Sequence, residues 1–352
     1  MSARQLDVAV IGATGVVGQR FVRRLANHPQ FRLVAIAASD KSRGKSYAEA
    51  CAWRLDGEAY AGNGAMPLVA SDPQEVSAPI IFSALDSGPA ADIEPRFAAA
   101  GATVFSNAST FRMAPDVPLL VPEVNPEHVG LLTTQRKLRG WRGAILTNPN
   151  CTTTMLVMAL KPLDAAFGVE SVHMASMQAV SGAGWPGVPS LDILGNVIPF
   201  IRNEEAKVEE ETQKLLGRCS GERIESLQAV VSAACHRVPV LEGHTLAVSV
   251  RLRGNPDVSA VRHALAEWHP LPQQRGLHSA PARALVLHDS LDRPQPRLDV
   301  EAMGGMAVHV GRIRPCPLLG IKFTVLGHNT ERGAAGGSML NAELALALGA
   351  IA

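Results

Sequence analysis

The stretch Val8-Ala9-Val10-Ile11-Gly12-Ala13-Thr14-Gly15-Val16-Val17-Gly18 decides the fold. Four apolar residues run into a glycine turn, and Val16, Val17, Phe21, Val22 and Leu25 follow at helical spacing. Strand, glycine turn and helix in that order open a dinucleotide-binding unit. Gly12 permits the tight turn, Gly15 lets a pyrophosphate approach the backbone, and Gly18 lets helix and strand pack closely. Read without its context, the same pattern is a plain turn.

Downstream, a second strand over 33–37 ends in Ala38-Ser39, followed by Asp40-Lys41-Ser42-Arg43-Gly44-Lys45. Dinucleotide sites selective for NAD place an acid here for the ribose hydroxyls. Ser39, Ser42 and three cations suit a 2′-phosphate better, which favours NADP, while Asp40 points the other way; a solvated polar loop is the simpler alternative. Strands over 80–83 and 103–105 flank a helix over 93–100, so the first half reads as a parallel, doubly wound sheet. Arg112, just beyond Ser106-Asn107-Ala108-Ser109, is either a surface arginine or an anion ligand.

A third junction carries chemistry. The strand 144–146 leads through Thr147-Asn148-Pro149-Asn150 to Cys151 and a helical run over 155–160, which Pro162 is expected to end. A thiol in a helix's first turn meets the backbone N–H groups and the positive end of the dipole. That setting lowers a thiol pKa, and the same N–H groups can hold an oxyanion. A small buried core cysteine is the alternative.

Beyond it, a strand over 171–177 runs into the loop Gln178-Ala179-Val180-Ser181-Gly182-Ala183-Gly184, which aims Gln178 at any site there. A helix over 203–216 places Glu204, Lys207 and Glu211 on one face, a pattern ordinarily explained by solvent, with Glu204 and Lys207 as a weak surface pair. Arg237 and His244 flank a Pro/Gly turn before a strand over 245–252. Arg237 has the planar fork that holds a carboxylate, and His244 is structural or catalytic. Another strand is expected over 304–312, and a helix over 338–348 follows the glycine-rich run beginning at His328-Asn329.

Bulk properties narrow the class. The 352 residues suggest two domains, and 47% apolar content supports real cores. A net charge of +1 carries no nucleic-acid footprint and no attraction to anionic membranes. No signal segment or bilayer-length apolar run is evident. Five scattered cysteines and eleven histidines show neither disulfide framework nor metal spacing, so no metal is expected and a reducing, cytoplasmic setting is.

Taken together, the GATGVVG turn, SNAS, NPNC, the QAVSGAG loop, the E-x-x-K helix, R-V-P-V-x-x-G-H and HNTERGAAGG resemble the aspartate-β-semialdehyde dehydrogenases, most closely the archaeal and fungal branch. The resemblance covers almost the whole chain. It implies Cys151 as nucleophile, His244 as general acid/base, and Asn150 and Gln178 positioning the acyl group. Arg237 would take the substrate α-carboxylate, Glu204 its ammonium, and Lys207 and Arg112 the phosphate. Gly12, Thr14, Gly15, Val16, Val17 and Gly18 would cradle the pyrophosphate of NADP(H), with Ser39, Ser42 and Arg43 near the 2′-phosphate. Ser83, Ser181, Gly182 and Asn329 complete the implied cofactor contacts.

The implied reaction reduces L-aspartyl 4-phosphate to L-aspartate 4-semialdehyde through a Cys151 thioester, in the pathway to lysine, methionine and threonine. A thioester accepts hydride far better than a carboxylate does. Trp185 and Thr152 depart from the tyrosine and serine common at those places. Malonyl-CoA reductase, or a paralogue acting on a modified aspartyl phosphate, are the alternatives; malonyl has no ammonium for Glu204. The fold class is α/β, a Rossmann-type domain over 1–150 completed by 326–352, with an α+β catalytic and dimerisation domain over 151–325. The resemblance implies a homodimer or homotetramer.

Overall fold

A computed structural model describes residues 5–351. Strands β1 (Leu6–Ile11), β2 (Phe31–Ala38), β3 (Leu68–Ala70), β4 (Ile80–Ser83), β5 (Thr103–Ser106) and β6 (Ala144–Thr147) form one parallel sheet in the order β3-β2-β1-β4-β5-β6. Strand order reverses between β1 and its neighbours β2 and β4, so a crevice opens at their carboxyl ends. Alternate residues of β1 feed opposite faces. Val8 and Val10 join Phe21, Phe82 and Met339, while Ala9 and Ile11 join Ile81, Val104 and Phe97. Burial on both faces is why the strand is a continuous apolar run.

The second sheet is mixed. Its order is Val230–Arg237, Val169–Gln178, His244–Leu252, Gly320–Gly327, Val308–Cys316 and Leu285–His288. Along His244–Leu252 buried positions alternate with more open ones. One face packs on the helices Cys151–Phe167 and Val258–Ala266 through Met155, Leu156, Val248, Val261 and Val310. The opposite face stays uncovered, with Met177 and Val230 exposed. Residues past 330 return to the first sheet, where Met339, Ala342, Leu344 and Ala345 share a core with Val8 and Val10. Among the described residues no helix is long and apolar enough to cross a membrane.

Several local expectations are corrected. The helix after Cys151 continues through Pro162 to Phe167. A proline inside a helix costs about 3 kcal/mol. Here the residues around it, from Met155 to Leu160 and Leu163, are all buried, and Gly168 at φ +81° supplies the stop. The helix expected over 93–100 begins earlier, at Ser87. The strand expected over 304–312 starts at Val308, because Met303, Gly304 and Gly305 adopt positive φ and turn the chain first. The last helix is preceded by one turn of π-helix, Glu331–Ala335.

Candidate active site

Sheet register assembles the site. Arg237 pairs with Gln178, and Thr245 pairs with Met177, so Gln178, Arg237 and His244 share one end of the second sheet. Cys151, the first residue of its helix, reaches the same point, with Sγ 3.3 Å from His244 Nε2. Ala179 N–H donates to the other ring nitrogen, Nδ1, at 3.1 Å. Two glycines allow this closeness. A Cβ on Gly182 would meet Arg237 Nη1 at 2.8 Å and His244 Cε1 at 3.1 Å. A Cβ on Gly333, in the π-helical turn, would lie 2.5 Å from the Cβ of Cys151.

The electrostatics correct the expected thiolate. Burial pushes the Cys151 thiol up, and the Glu204 carboxylate adds to this, to about 12; Arg112 and Arg237 oppose them incompletely. Burial and the Arg237 guanidinium push His244 down to about 3. At neutral pH both partners are therefore uncharged. The Thr152 N–H in the helix's first turn favours the thiolate, but burial outweighs it. Asn150, the N-cap, accepts from Thr152 N–H (2.8 Å) and Thr153 N–H (3.1 Å) through Oδ1.

The charged helix face, which spacing alone assigns to solvent and the resemblance to the substrate, is largely buried at Glu204 and Glu211. Glu204 is 7% exposed, and its Oε1 accepts from Asn150 Nδ2 (2.9 Å), Gln178 Nε2 (3.0 Å) and Thr152 Oγ1 (3.3 Å). It thereby sets both residues expected to position the acyl group, and no Glu204–Lys207 pair forms. Lys207, half-buried, lies one turn on. Glu211 bridges Arg112 (Nη1 to Oε1, 3.0 Å) and the Asn150 N–H (to Oε2, 2.6 Å). Arg112 also donates to the Asn107 carbonyl at 2.8 Å. Arg237 differs: it is 6% exposed, donates to the Ala179 carbonyl at 2.8 Å, and has no carboxylate partner among the described residues. A buried cation without a counter-charge is costly unless an anion completes it.

The glycine turn fits a pyrophosphate. Gly12 has φ +73°. A Cβ on Gly18 would meet the Gly12 carbonyl at 2.3 Å, whereas Gly15 is exposed and open. The helix Val16–Leu25 has no side-chain cap, so its first N–H groups remain for an anion. Thr14 and Val17 are partly accessible on this turn. Ser39 and Ser42 lie at the carboxyl end of β2, with Arg43 paired to Glu75 at 2.5 Å. Ser83 ends β4 but its side chain is fully buried, so the hydroxyl does not face the crevice. Ser181 Oγ accepts from Asn329 Nδ2 (2.8 Å) and donates to Glu242 (2.8 Å), and Asn329 Oδ1 accepts from Gly243 N–H (2.8 Å). Ser181 and Asn329 thus share one network beside His244.

Four contributors escaped the sequence reading. Glu211 and Lys214 continue the face of Glu204 and Lys207 at spacing 3, 4, 3, which was the available signal. Lys214 Nζ donates to the carbonyls of Arg112 (2.6 Å), Ala114 (2.8 Å) and Val117 (2.9 Å), holding the Arg112 loop. Glu242 accepts from Arg20 at 2.7 Å and so ties the cofactor helix to the turn before His244. Glu331 in the π-turn accepts from Arg20, Arg23 and Arg24. Elsewhere His288, Asp299 and His309 converge, a grouping invisible in sequence spacing. Its carboxylate is held by Arg293 (Nε to Oδ2, 2.8 Å) and the Gln295 N–H (2.7 Å), and His288 Nε2 lies 3.0 Å from His309 Nδ1.

Comparison with known proteins identifies the family. Residues 7–132 match the semialdehyde dehydrogenase NAD binding domain, and residues 160–332 match the semialdehyde dehydrogenase dimerisation domain. The aspartate-semialdehyde dehydrogenase of Archaeoglobus fulgidus is 53% identical over 338 residues, 96% of this chain and 97% of the relative. That of Schizosaccharomyces pombe is 45% identical over 350 residues, 97% of this chain and 98% of the relative. The crystal structure of aspartate semialdehyde dehydrogenase with NADP from Candida albicans has a TM-score of 0.91 at 39% identity, covering 99% of this chain and 100% of that one. With two matching domain families in order and relatives this similar along nearly its full length, the chain belongs to the aspartate-semialdehyde dehydrogenase family.

Proposed function

We propose that this protein catalyses the NADPH-dependent, reversible and phosphate-dependent reduction of L-aspartyl 4-phosphate to L-aspartate 4-semialdehyde. The observation that carries the reading is a pair of buried charges that both act on Cys151: the Arg237 guanidinium, which has no carboxylate hydrogen-bond partner among the described residues, and the Glu204 carboxylate. A fixed cation and a fixed anion beside one nucleophile suit a zwitterionic amino-acid end. Arg237 takes the α-carboxylate by its planar fork, and Glu204 Oε2 takes the ammonium. An acid lacking the amine would leave Glu204 as an unpaired charge near an anion.

Cys151 attacks the acyl carbon and phosphate leaves, giving a thioester. Asn150 and Gln178, both anchored on Glu204, orient the acyl oxygen, while Arg112 and Lys207 hold the phosphate. The dinucleotide supplies hydride when bound. Gly12, Thr14, Gly15, Val16, Val17 and Gly18 hold its pyrophosphate, Ser39, Ser42 and Arg43 its 2′-phosphate end, and Ser181, Gly182 and Asn329 its nicotinamide end. The domains are 1–150 completed by 326–352, which holds the dinucleotide, and 151–325, which carries catalysis and dimerisation. The uncovered face of the second sheet pairs subunits into a homodimer or homotetramer, and the protein works in the cytoplasm.

The test is reduction of NADP by L-aspartate semialdehyde with and without phosphate, with NAD and succinic semialdehyde alongside. Turnover requiring phosphate and the amino-bearing aldehyde supports the reading. Activity on malonyl-CoA instead would overturn the roles of Glu204 and Lys207.

A further inference from the structure

Glu242 joins three segments to the turn that precedes His244. Its Oε1 accepts from Arg20 (2.7 Å) on the helix Val16–Leu25, and its Oε2 accepts from Ser181 Oγ (2.8 Å) and Thr330 Oγ1 (3.2 Å). Val180 and Ser181 lie along the same turn, their N–H groups donating to the Val240 and Leu241 carbonyls at 2.8 and 3.3 Å. Through Ser181 the hydrogen bonds run in one direction. The Gly243 N–H can only donate, so the Asn329 oxygen faces it at 2.8 Å and the Asn329 amino group faces Ser181. Asn329 Nδ2 then donates to Ser181 Oγ at 2.8 Å, which leaves the serine proton to Glu242. Paired with Arg20, the carboxylate accepts three hydrogen bonds and donates none.

A serine hydroxyl has one proton and two lone pairs. Glu242 takes the proton and Asn329 one lone pair, and no other described residue bonds the Ser181 hydroxyl. Asn329 is 2% exposed, whereas Ser181 is half-buried and its neighbour Gly182 is exposed, so Ser181 is the member of this chain of bonds that a ligand reaches. We propose that Glu242 is a positioning residue for the cofactor: by holding the Ser181 hydroxyl as an acceptor, it selects a dinucleotide whose reactive ring carries an N–H donor, as the nicotinamide carboxamide does. The inference rests on the reading above that Ser181 lies at the nicotinamide end. One carboxylate thus sets both the helix that receives the pyrophosphate, through Arg20, and the hydroxyl that receives the ring. A glutamine in its place must turn its amino group toward Arg20 or toward Ser181. Arg20 already donates, so the amino group turns to Ser181. Both serine lone pairs are then taken, and its proton points at the ligand instead.

Calorimetric titration of the unliganded protein with NADP and with its 3-acetylpyridine analogue reads this without turnover. The analogue's methyl ketone keeps the carboxamide oxygen and lacks the N–H donors. The unmutated protein should bind NADP about 10-fold more tightly than the analogue, the scale of one hydrogen bond. Ser181→Ala should bring that ratio to within about 2-fold, because the acceptor is gone. Glu242→Gln should do the same with Ser181 intact, and the double variant should lower the ratio no further. Glu242→Ala, which removes the carboxylate without offering a donor, should lower it too, so the comparison does not depend on one variant folding. Equal weakening of both dinucleotides in the Glu242 variants, with the ratio kept, would show a merely structural role and sink the proposal. Equal affinity of the unmutated protein for NADP and the analogue also overturns it, while leaving the cofactor reading intact. Binding of neither dinucleotide overturns both.

Discussion

Gly333 lies directly against the nucleophile: a Cβ built on it would stand 2.5 Å from the Cβ of Cys151 and 2.9 Å from its Cα. Neither atom is the free end of a flexible side chain, so the π-turn and the start of the nucleophile's helix must separate. Gly333→Ala is expected to lower kcat roughly 100-fold, the scale of a misplacement near 1 Å, with NADP still bound. Steady-state kinetics beside a cofactor-binding titration would check it, and near-normal kcat would show that the turn yields freely.

Glu204 carries two opposed roles, and its amide separates them. Glu204→Gln keeps an oxygen for Asn150 and Gln178 but loses the charge. KM for the amino-bearing aldehyde should rise about 10-fold or more, as for a lost charge-assisted hydrogen bond. Because the Glu204 charge pushes the thiol up, alkylation of Cys151 should become faster at the same pH. Slower alkylation would contradict that electrostatic reading.

The free enzyme's thiol should titrate late. With Cys151 raised to about 12 and His244 lowered to about 3, iodoacetamide inactivation should climb from about pH 6 to about pH 10 without a plateau. A plateau already reached near neutrality would mean a resting thiolate. Cys151→Ser should abolish turnover and retain NADP binding.

Glu331 sets an acid limit on stability. Burial alone would push its carboxyl up, but Arg24 and Arg20 bring it down to about 2 from an ordinary 4.5. The native state therefore favours the ionised form. This stabilisation is complete above about pH 4.5 and is lost as pH falls toward 2, for a total of roughly 3 kcal/mol. Glu331→Gln should lower stability at neutral pH by about that amount and flatten the acid limb of a denaturation profile. An unchanged acid limb would rule out this group as its source.

What the sequence could show follows from what a pattern encodes. Gly12 and Gly18 were legible because a positive φ and a close backbone approach leave glycine as the residue that fits. The Cys151 junction was legible because a buried strand, an Asn cap and an apolar helix leave local marks. For the face of Glu204 and Glu211 spacing alone was silent, because charges at helical spacing look alike whether water or a buried arginine answers them; the resemblance was what pointed Glu204 at the substrate. The thiol's environment was misread for a related reason: position in a helix's first turn says nothing about how deeply the thiol is buried or that a carboxylate stands near it. Pro162 misled because long-range packing around it outweighs a local preference.

The placement of Ala335, Met339, Ala342, Leu344 and Ala345 in one core with Val8 and Val10 bears on the timing of biogenesis. Ribosomes release a chain from its N-terminus, so β1 leaves the exit tunnel long before the segment that covers it. The nucleotide-binding sheet cannot seal ahead of the other half, and Cys151 lacks its Gly333 neighbour for the same interval. A translating chain thus carries an unassembled nucleophile until the helix at 336–347 emerges, which makes β1 dependent on a helix more than 300 residues later and leaves chaperones a long window in which to act.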